Sequence, residues 1–135
     1  MSVEDNKAIV RRYVEEPWNT GNLAILDELC SPGLAVNGDL KLADFKKFIA
    51  ESRRAFPDLH NTIEEMIAEG DKVVFRWTMR GTHRGEYEGV APTGKPITFT
   101  GITIVRLANG KIVEDRFEAG GPSFKEQVGD PAGNK

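Results

Sequence analysis

The sequence has little that would support a disulfide, a metal centre or a membrane anchor. Cys30 is the only cysteine among the 135 residues, which excludes an intrachain disulfide and a site of paired cysteines, and fits a reducing compartment. Two histidines are too few to predict a metal site. No window approaches the apolar length of a membrane-spanning helix, and residues 1–6 lack the features of a secretory signal. We therefore expect a cytoplasmic protein that does not interact with membranes.

Basic charge is not concentrated in any one segment. The net charge is −3, and the basic pairs at 11–12, 46–47 and 53–54 lie beside acidic residues, as is typical of a solvated helix face. This pattern predicts no nucleic-acid partner. The glycines of 81–94 match neither the dinucleotide-binding nor the nucleotide-binding loop spacing and are better suited to turns. The sequence therefore predicts no phosphate-binding loop in this segment.

The first third of the chain has helical periodicity. An apolar stripe predicts a first helix that kinks or ends near Glu16, since Pro17 lacks an amide hydrogen, with a definite break at 20–21. The same pattern predicts a short second helix over 22–29 and a third over 43–56, which Pro57 closes.

After the third helix the period becomes that of β-strands. Gly70 lies in one predicted turn, and Asn109 and Gly110 form the strongest short hairpin signal in the chain. The glycine-rich segment 81–95 is predicted to be a loop with one short strand. Full-length strands are predicted over 59–69, 72–80, 97–107 and 111–119.

Helices followed by antiparallel strands predict an α+β fold. We expect one domain over 1–128 and a frayed tail over 129–135. A curved antiparallel or mixed sheet would hold the N-terminal helices on its concave face, as a cone-shaped α+β barrel. The sheet and the helices would then enclose a pocket.

Five short motifs occur in an order that resembles the SnoaL-like polyketide cyclase family, a branch of the nuclear-transport-factor-2-like superfamily. The resemblance covers nearly the whole chain and implies a small α+β barrel with a deep pocket. It also implies a homodimer, formed where the apolar outer face of the sheet packs against a second copy. The motifs are WNTGNL at 18–23, FPDLH at 56–60, GTHRGE at 81–86, PTGK at 92–95 and NGKIVE at 109–114.

The resemblance implies a cofactor-independent intramolecular aldol condensation, in which an acidic side chain on the last strand transfers the proton. Family members continue that strand into a tryptophan and then an aspartate. In this chain Arg116 stands at the tryptophan position and Gly120 at the aspartate position. The usual catalytic acid is therefore missing.

Strand alternation suggests a replacement for that acid. Arg116 and Glu118 share the strand face of Gly120, so both would enter the pocket if position 120 does. Glu118 is then a candidate catalytic residue. Arg116 would lower its pKa, which suits the binding of an acidic substrate. The alternative is a structural Arg116–Glu118 pair across the sheet, and the sequence does not decide between the two.

The two histidines, His60 and His83, are further candidate catalytic residues, because imidazole is suited to proton transfer near neutral pH. For each of them a structural role is the alternative. An apolar wall with a few polar groups is what a pocket for a hydrophobic ligand requires. The predicted substrate-binding residues are Trp18, Trp77, Phe99, Arg116 and Phe56.

Three hypotheses for the function follow. The first is a cofactor-independent enzyme that performs acid–base chemistry on a small hydrophobic carbonyl compound. The second is a protein that binds such a ligand without turnover, which the glycine at position 120 favours. The third is hydration, isomerisation or epoxide opening on the same fold, although the aspartate–arginine–aspartate arrangement of the epoxide-opening members cannot be placed in this sequence.

Overall fold

The computed structural model describes residues 2–129 of the chain. This part contains four α-helices, a π-helical turn and five strands. The helices are α1 (Val3–Glu15), α2 (Ile25–Leu29), α3 (Leu42–Ala55) and α4 (Phe124–Val128). The strands are β1 (Cys30–Val36), β2 (His60–Glu69), β3 (Lys72–Thr82), β4 (Pro96–Ala108) and β5 (Lys111–Gly120). Residues 130–135 of the predicted frayed tail lie outside the described part.

Within residues 2–129 the helices are too short and too polar to cross a membrane. The cytoplasmic location stays a prediction.

Helix α1 begins at a capping box and ends close to Pro17. The Ser2 hydroxyl accepts a hydrogen bond from the Asp5 amide at 3.0 Å, which satisfies one of the free amides of the first turn. The prediction that Pro17 kinks or ends the helix near Glu16 is confirmed, because α1 ends at Glu15 and a single π-helical turn, Glu16–Thr20, follows directly. Pro17 lies at the start of that turn, where its missing amide hydrogen costs little.

The five strands form one open sheet in the order β1-β5-β4-β3-β2. Strand β1 pairs in parallel with β5, and the other neighbouring strands are antiparallel. The α+β prediction is confirmed, with a mixed sheet that is not closed into a barrel. Strand β1 was not predicted, and the short strand predicted within 81–95 is only an isolated bridge between Tyr87 and Val90.

The inner face of the sheet packs against the helices, and its outer face does not. Inner residues such as Val73, Val105 and Ile112 are fully buried. On the outer face, Ile67 and Ile102 are 64% and 51% exposed. The sheet therefore encloses space on one side only, between itself and the helices.

Two of the sequence motifs meet where α3 ends. The Asp58 carboxylate accepts hydrogen bonds from the backbone amide and the hydroxyl of Thr82, each at 2.7 Å, and this lowers the pKa of Asp58. The Ala55 carbonyl accepts from the Arg84 and Gly85 amides at 3.0 Å. These contacts join the FPDLH and GTHRGE motifs, so both motifs lie at a junction between α3 and the loop after β3.

Candidate active site

A cavity of about 300 Å³ lies between the inner face of the sheet and the helices. All eleven aromatic residues of the chain, two Trp, two Tyr and seven Phe, are among its lining residues. Aromatic side chains supply large rigid apolar surfaces. The cavity is therefore suited to a flat apolar molecule.

The sheet side of the cavity is built from cross-strand rows. Phe117 on β5 lies beside Thr103 on β4, which lies beside Phe75 on β3. Asp115 is two residues before Phe117 and therefore points to the same side. The buried end of the cavity is at Asp115, which is 3% exposed.

The other end of the cavity opens to solvent. Three of its lining residues are exposed: Phe48 on α3, Glu88 in the loop after β3 and Ala119 near the end of β5. Four residues of extended strand separate Ala119 from Asp115, a depth of roughly 13 Å at about 3.3 Å per residue. A ligand of two or three rings would be needed to reach from the mouth to Asp115.

Asp115 is a carboxyl group in apolar surroundings. The Tyr13 hydroxyl of α1 donates to its Oδ2 at 2.5 Å, and Oδ1 has no hydrogen-bond partner within residues 2–129. Burial raises the pKa of Asp115 from 3.8 to about 6, although the Tyr13 hydrogen bond lowers it. Such a group is mostly ionised at neutral pH and is a stronger base than an exposed aspartate.

Tyr13 is held as a hydrogen-bond donor. Burial raises the pKa of Tyr13 well above its ordinary value, and the negative charge of Asp115 raises it further. Its hydroxyl therefore stays protonated at neutral pH and fixes one oxygen of the carboxyl group. This contact involves Oδ2 and leaves Oδ1 without a hydrogen-bond partner within residues 2–129.

Trp77 lines the cavity and lies across β4, because its cross-strand neighbour on β4 is a glycine. A Cβ atom on Gly101 would lie 2.3 Å from the Cζ2 atom of Trp77, closer than atoms can approach. The absence of that Cβ lets the indole lie across β4. The Trp77 Nε1–H then donates to the Thr103 hydroxyl at 2.8 Å, which fixes the ring.

The predicted orientation of the β5 side chains is wrong. Gly120, Glu118 and Arg116 are exposed and do not line the cavity, whereas Asp115 does. The prediction assumed that position 120 enters the pocket, but the cavity face of β5 is the alternate one. Arg116 forms its ion pair with Glu114 at 2.9 Å, in place of the Arg116–Glu118 pair considered from the sequence.

Neither histidine lines the cavity. His60 is exposed at the start of β2, near the Thr62 hydroxyl. His83 is fully buried, and its Nδ1 accepts a hydrogen bond from the Thr93 amide at 3.2 Å, which requires the tautomer protonated at Nε2. With the Phe124 ring 4.9 Å away, His83 holds the loop after β3 to α4, so the structural alternative describes it better.

The four predicted aromatic binding residues do line the cavity, and Arg116 does not. Trp18 comes from the turn after α1, Trp77 from β3, Phe99 from β4 and Phe56 from the end of α3. Their contact with a substrate stays a prediction.

Sequence reasoning missed the polar residues of the cavity, which are Tyr13, Ser52, Asn61, Glu88, Thr103 and Asp115. A signal for Asp115 was present, because it shares a strand face with Phe117 and Ala119, the apolar residues of β5. A carboxylate in phase with apolar residues indicates a buried acid. Within residues 2–129 no group of three acidic, histidine or cysteine side chains is arranged to hold a metal ion.

The protein is an α+β protein with an open mixed sheet. The sheet encloses an aromatic cavity of small-molecule size with a buried carboxyl group. A family model described as SnoaL-like polyketide cyclase matches residues 8–119. The chain belongs to the SnoaL-like polyketide cyclase family. No curated protein matches the sequence.

Solved structures with similar folds come from several bacteria. AclR of Streptomyces galilaeus, a candidate hydroxylase, is 29% identical, with a TM-score of 0.85 over 95% of this chain and 87% of its own. IdmH of Streptomyces antibioticus, a candidate polyketide cyclase, is 26% identical, with a TM-score of 0.75 over 96% of this chain and 99% of its own. A candidate polyketide cyclase from Acidithiobacillus ferrooxidans is 29% identical, with a TM-score of 0.73 over 88% and 91%.

Proposed function

We propose that the protein is a cofactor-independent enzyme that removes a proton beside the carbonyl group of a neutral aromatic ketone or ester, with Asp115 as the base. The observation that supports this most is the buried carboxyl group of Asp115, which lines an aromatic cavity and whose Oδ1 has no hydrogen-bond partner within residues 2–129. Burial makes the carboxylate more basic, and Tyr13 holds it in one orientation. Both effects suit general base catalysis.

The chemistry needs no group beyond the ligand and these side chains. Oδ1 of Asp115 takes the proton from the carbon beside the carbonyl, and the electron pair of the broken C–H bond forms an enolate. In an aldol cyclisation the enolate carbon attacks a second carbonyl of the same molecule. The resulting alkoxide then takes the proton back from Asp115, which restores the carboxylate.

The charges around the cavity favour a neutral ligand. Its lining includes two acidic side chains, Asp115 and Glu88, and neither lysine, arginine nor histidine in the described part of the chain. An anionic ligand would meet negative charge at the mouth and again at the buried end. We therefore expect an ester or ketone in preference to a free acid, in contrast to the acidic substrate that Arg116 had suggested.

One hypothesis from the sequence loses support, and the comparisons favour a reaction that the sequence did not suggest. Binding without turnover was based on Gly120, but that position lies outside the cavity. The similarity to AclR, a candidate hydroxylase, favours a reaction of the same carbanion with O2. The carbanion is oxidised as its electron pair forms a C–O bond, O2 is reduced to a peroxide anion, and this anion takes the proton held by Asp115 to give a hydroperoxide. Oxygen consumption distinguishes this reaction from cyclisation.

Deuterium exchange tests the proposed base without knowledge of the natural substrate. We expect the protein to exchange the acetyl protons of 2-acetylnaphthalene, a neutral two-ring ketone, in D2O, as measured by mass spectrometry. The rate should rise as the pH passes through about 6, because Asp115 must be ionised. Asp115→Asn should lower the rate by about 10²- to 10⁴-fold.

Glu118→Gln is the matched control, since Glu118 carries the same kind of carboxylate on the opposite face of β5. It should exchange at the wild-type rate. Equal exchange by the wild-type protein and Asp115→Asn would refute the proposal, and so would a loss of exchange in Glu118→Gln alone.

We also propose a homodimer through the outer face of the sheet. Ile67 and Ile104 are 64% and 43% exposed there and lie on either side of Val74 in one cross-strand row. A neighbouring Glu65–Arg76 ion pair of 3.0 Å provides charges of both signs. A two-fold axis could therefore place apolar against apolar and acid against base.

A further inference from the structure

The Thr103 hydroxyl is a hydrogen-bond donor without an acceptor in the described part of the chain. Its Oγ1 accepts from the indole of Trp77, and an indole N–H can only donate. The hydroxyl hydrogen of Thr103 is not used in that bond. Thr103 is 4% exposed and lines the cavity, so this hydrogen is available to a ligand and not to bulk water.

Thr103 is also placed at a useful distance from Asp115. Asp115 on β5 is paired with Val105 on β4, and Thr103 is two residues before Val105 on the same face. The backbone positions of diagonal neighbours are about 7–8 Å apart, within reach of each other's longer side chains. Their side chains can therefore contact neighbouring atoms of one ligand, with Asp115 at an α-proton and Thr103 at the carbonyl oxygen.

We propose that Thr103 is a catalytic residue that donates a hydrogen bond to the carbonyl oxygen of the ligand while Asp115 removes the adjacent proton. This rests on the proposed function. As the C–H bond breaks, its electron pair moves onto the carbonyl oxygen, and the Thr103 hydrogen bond stabilises the negative charge that forms there. A donor already in position in a dry cavity is effective for such a charge. Trp77 is a positioning residue, because its N–H determines which way the Thr103 hydroxyl points.

The test uses a matched pair of ligands and a matched set of variants. 2-Acetylnaphthalene has a carbonyl oxygen, and 2-isopropenylnaphthalene has the same shape with a methylene group in its place. Thr103→Val keeps the shape of the side chain and removes the hydroxyl, Thr103→Ser keeps the hydroxyl, and Thr100→Val is the control on the exposed face of β4. Affinity is measured by quenching of tryptophan fluorescence, and hydrogen bonding by the infrared frequency of the bound carbonyl.

We expect the wild-type protein to bind the ketone more tightly than the alkene and to lower the carbonyl frequency. Thr103→Val should bind the ketone about five- to tenfold more weakly, the loss of one hydrogen bond, with alkene affinity unchanged. The carbonyl frequency should return toward its unbound value in Thr103→Val and stay lowered in Thr103→Ser and Thr100→Val.

Three results would overturn the inference. They are a wild-type protein that does not prefer the ketone, a carbonyl frequency that Thr103→Val leaves unchanged, and equal weakening of both ligands by Thr103→Val, which would indicate a role in shape alone. The outcome is separable from that of the proposed function. A carbonyl shift that depends on Thr103, without deuterium exchange, would support Thr103 as the donor and refute Asp115 as the base. Deuterium exchange that depends on Asp115, without that shift, would support Asp115 as the base and refute Thr103 as the donor.

Discussion

Asp115 is a single acidic residue whose charge is unfavourable in its mainly apolar surroundings. Its neighbours in the cavity are mainly aromatic, and a carboxylate among such side chains is less well solvated than in water. Only one of its two oxygens has a hydrogen-bond partner within residues 2–129. A group that costs stability in this way is a candidate for a functional role.

The loss of stability caused by burying the ionised carboxylate of Asp115 should be measurable as a dependence of the free energy of unfolding on pH. Because burial raises the pKa of Asp115 to about 6, the folded chain holds this proton more tightly than the unfolded chain does. The resulting stabilisation is complete below about pH 4 and is lost as the pH rises through about 6. Relative to the wild type, we expect Asp115→Asn to become more stable by about 2 kcal/mol in free energy of unfolding as the pH rises from about 4 to about 8.

Urea unfolding at the two pH values measures this difference. Asparagine can still accept the Tyr13 hydrogen bond through its carbonyl oxygen, so the substitution removes the charge and keeps the contact. A difference between variant and wild type that is the same at both pH values would show that the carboxyl group titrates normally.

At the scale of elements, the register of β5 decides which residues enter the cavity. Ile112 pairs with Leu107, whereas Glu114 pairs with Arg106, so Val113 is an extra residue in the strand. This bulge puts Ile112 and Asp115 on the same face although they are three residues apart. Counting alternate residues along the whole of β5 therefore assigns some side chains to the wrong face. Only the part of the strand after Val113 follows a simple period of two.

The packing of β3 against β4 gives a prediction at the same scale. Gly101→Ala would place a methyl group 2.3 Å from the Trp77 ring and 2.7 Å from the Glu118 carbonyl oxygen. We expect a loss of about 1–3 kcal/mol in free energy of unfolding, as for other overpacked cores. A change in the tryptophan emission spectrum should accompany it, because Trp77 must move.

Gly120→Ala is the control for that experiment, since a Cβ at position 120 meets no atom within 4 Å. It should change stability by less than about 0.5 kcal/mol. Similar losses from the two substitutions would mean that the loss of glycine flexibility, and not the contact with Trp77, explains the effect.

At the scale of the whole molecule, the helices cover one face of the sheet and leave isoleucines exposed on the other. Apolar side chains that lie next to one another on a surface often mark an interface. If the proposed homodimer forms there, Ile102→Glu should shift the protein toward the monomer, because it places a charge in the interface and opposite Glu118.

Sedimentation equilibrium over a range of concentrations measures this shift. Leu40→Glu is the control, since Leu40 is 43% exposed in the turn after β1 and away from the isoleucine rows. A protein that is monomeric before any substitution, or a dimer that Ile102→Glu leaves intact, would contradict the proposed interface.

The amino-acid sequence by itself determined the order of the elements, the α+β class and the family, because apolar periodicity, turn residues and motif order are local features of the chain. It also indicated the aromatic cavity wall, since Trp18, Trp77 and Phe99 lie on apolar faces. Strand β1 escaped this reasoning because its pairing is parallel and long-range, so it leaves no hairpin signal in the chain.

Only the tertiary structure decided which face of β5 enters the cavity, and therefore that Asp115 and not Glu118 is the buried acid. Both carboxylates lie on the same strand, and alternation places them on opposite faces without telling which face enters the cavity. The side of the sheet on which the helices pack decides this. Burial then gives Asp115 its raised pKa, because desolvation depends on the surroundings of a group and not on its identity.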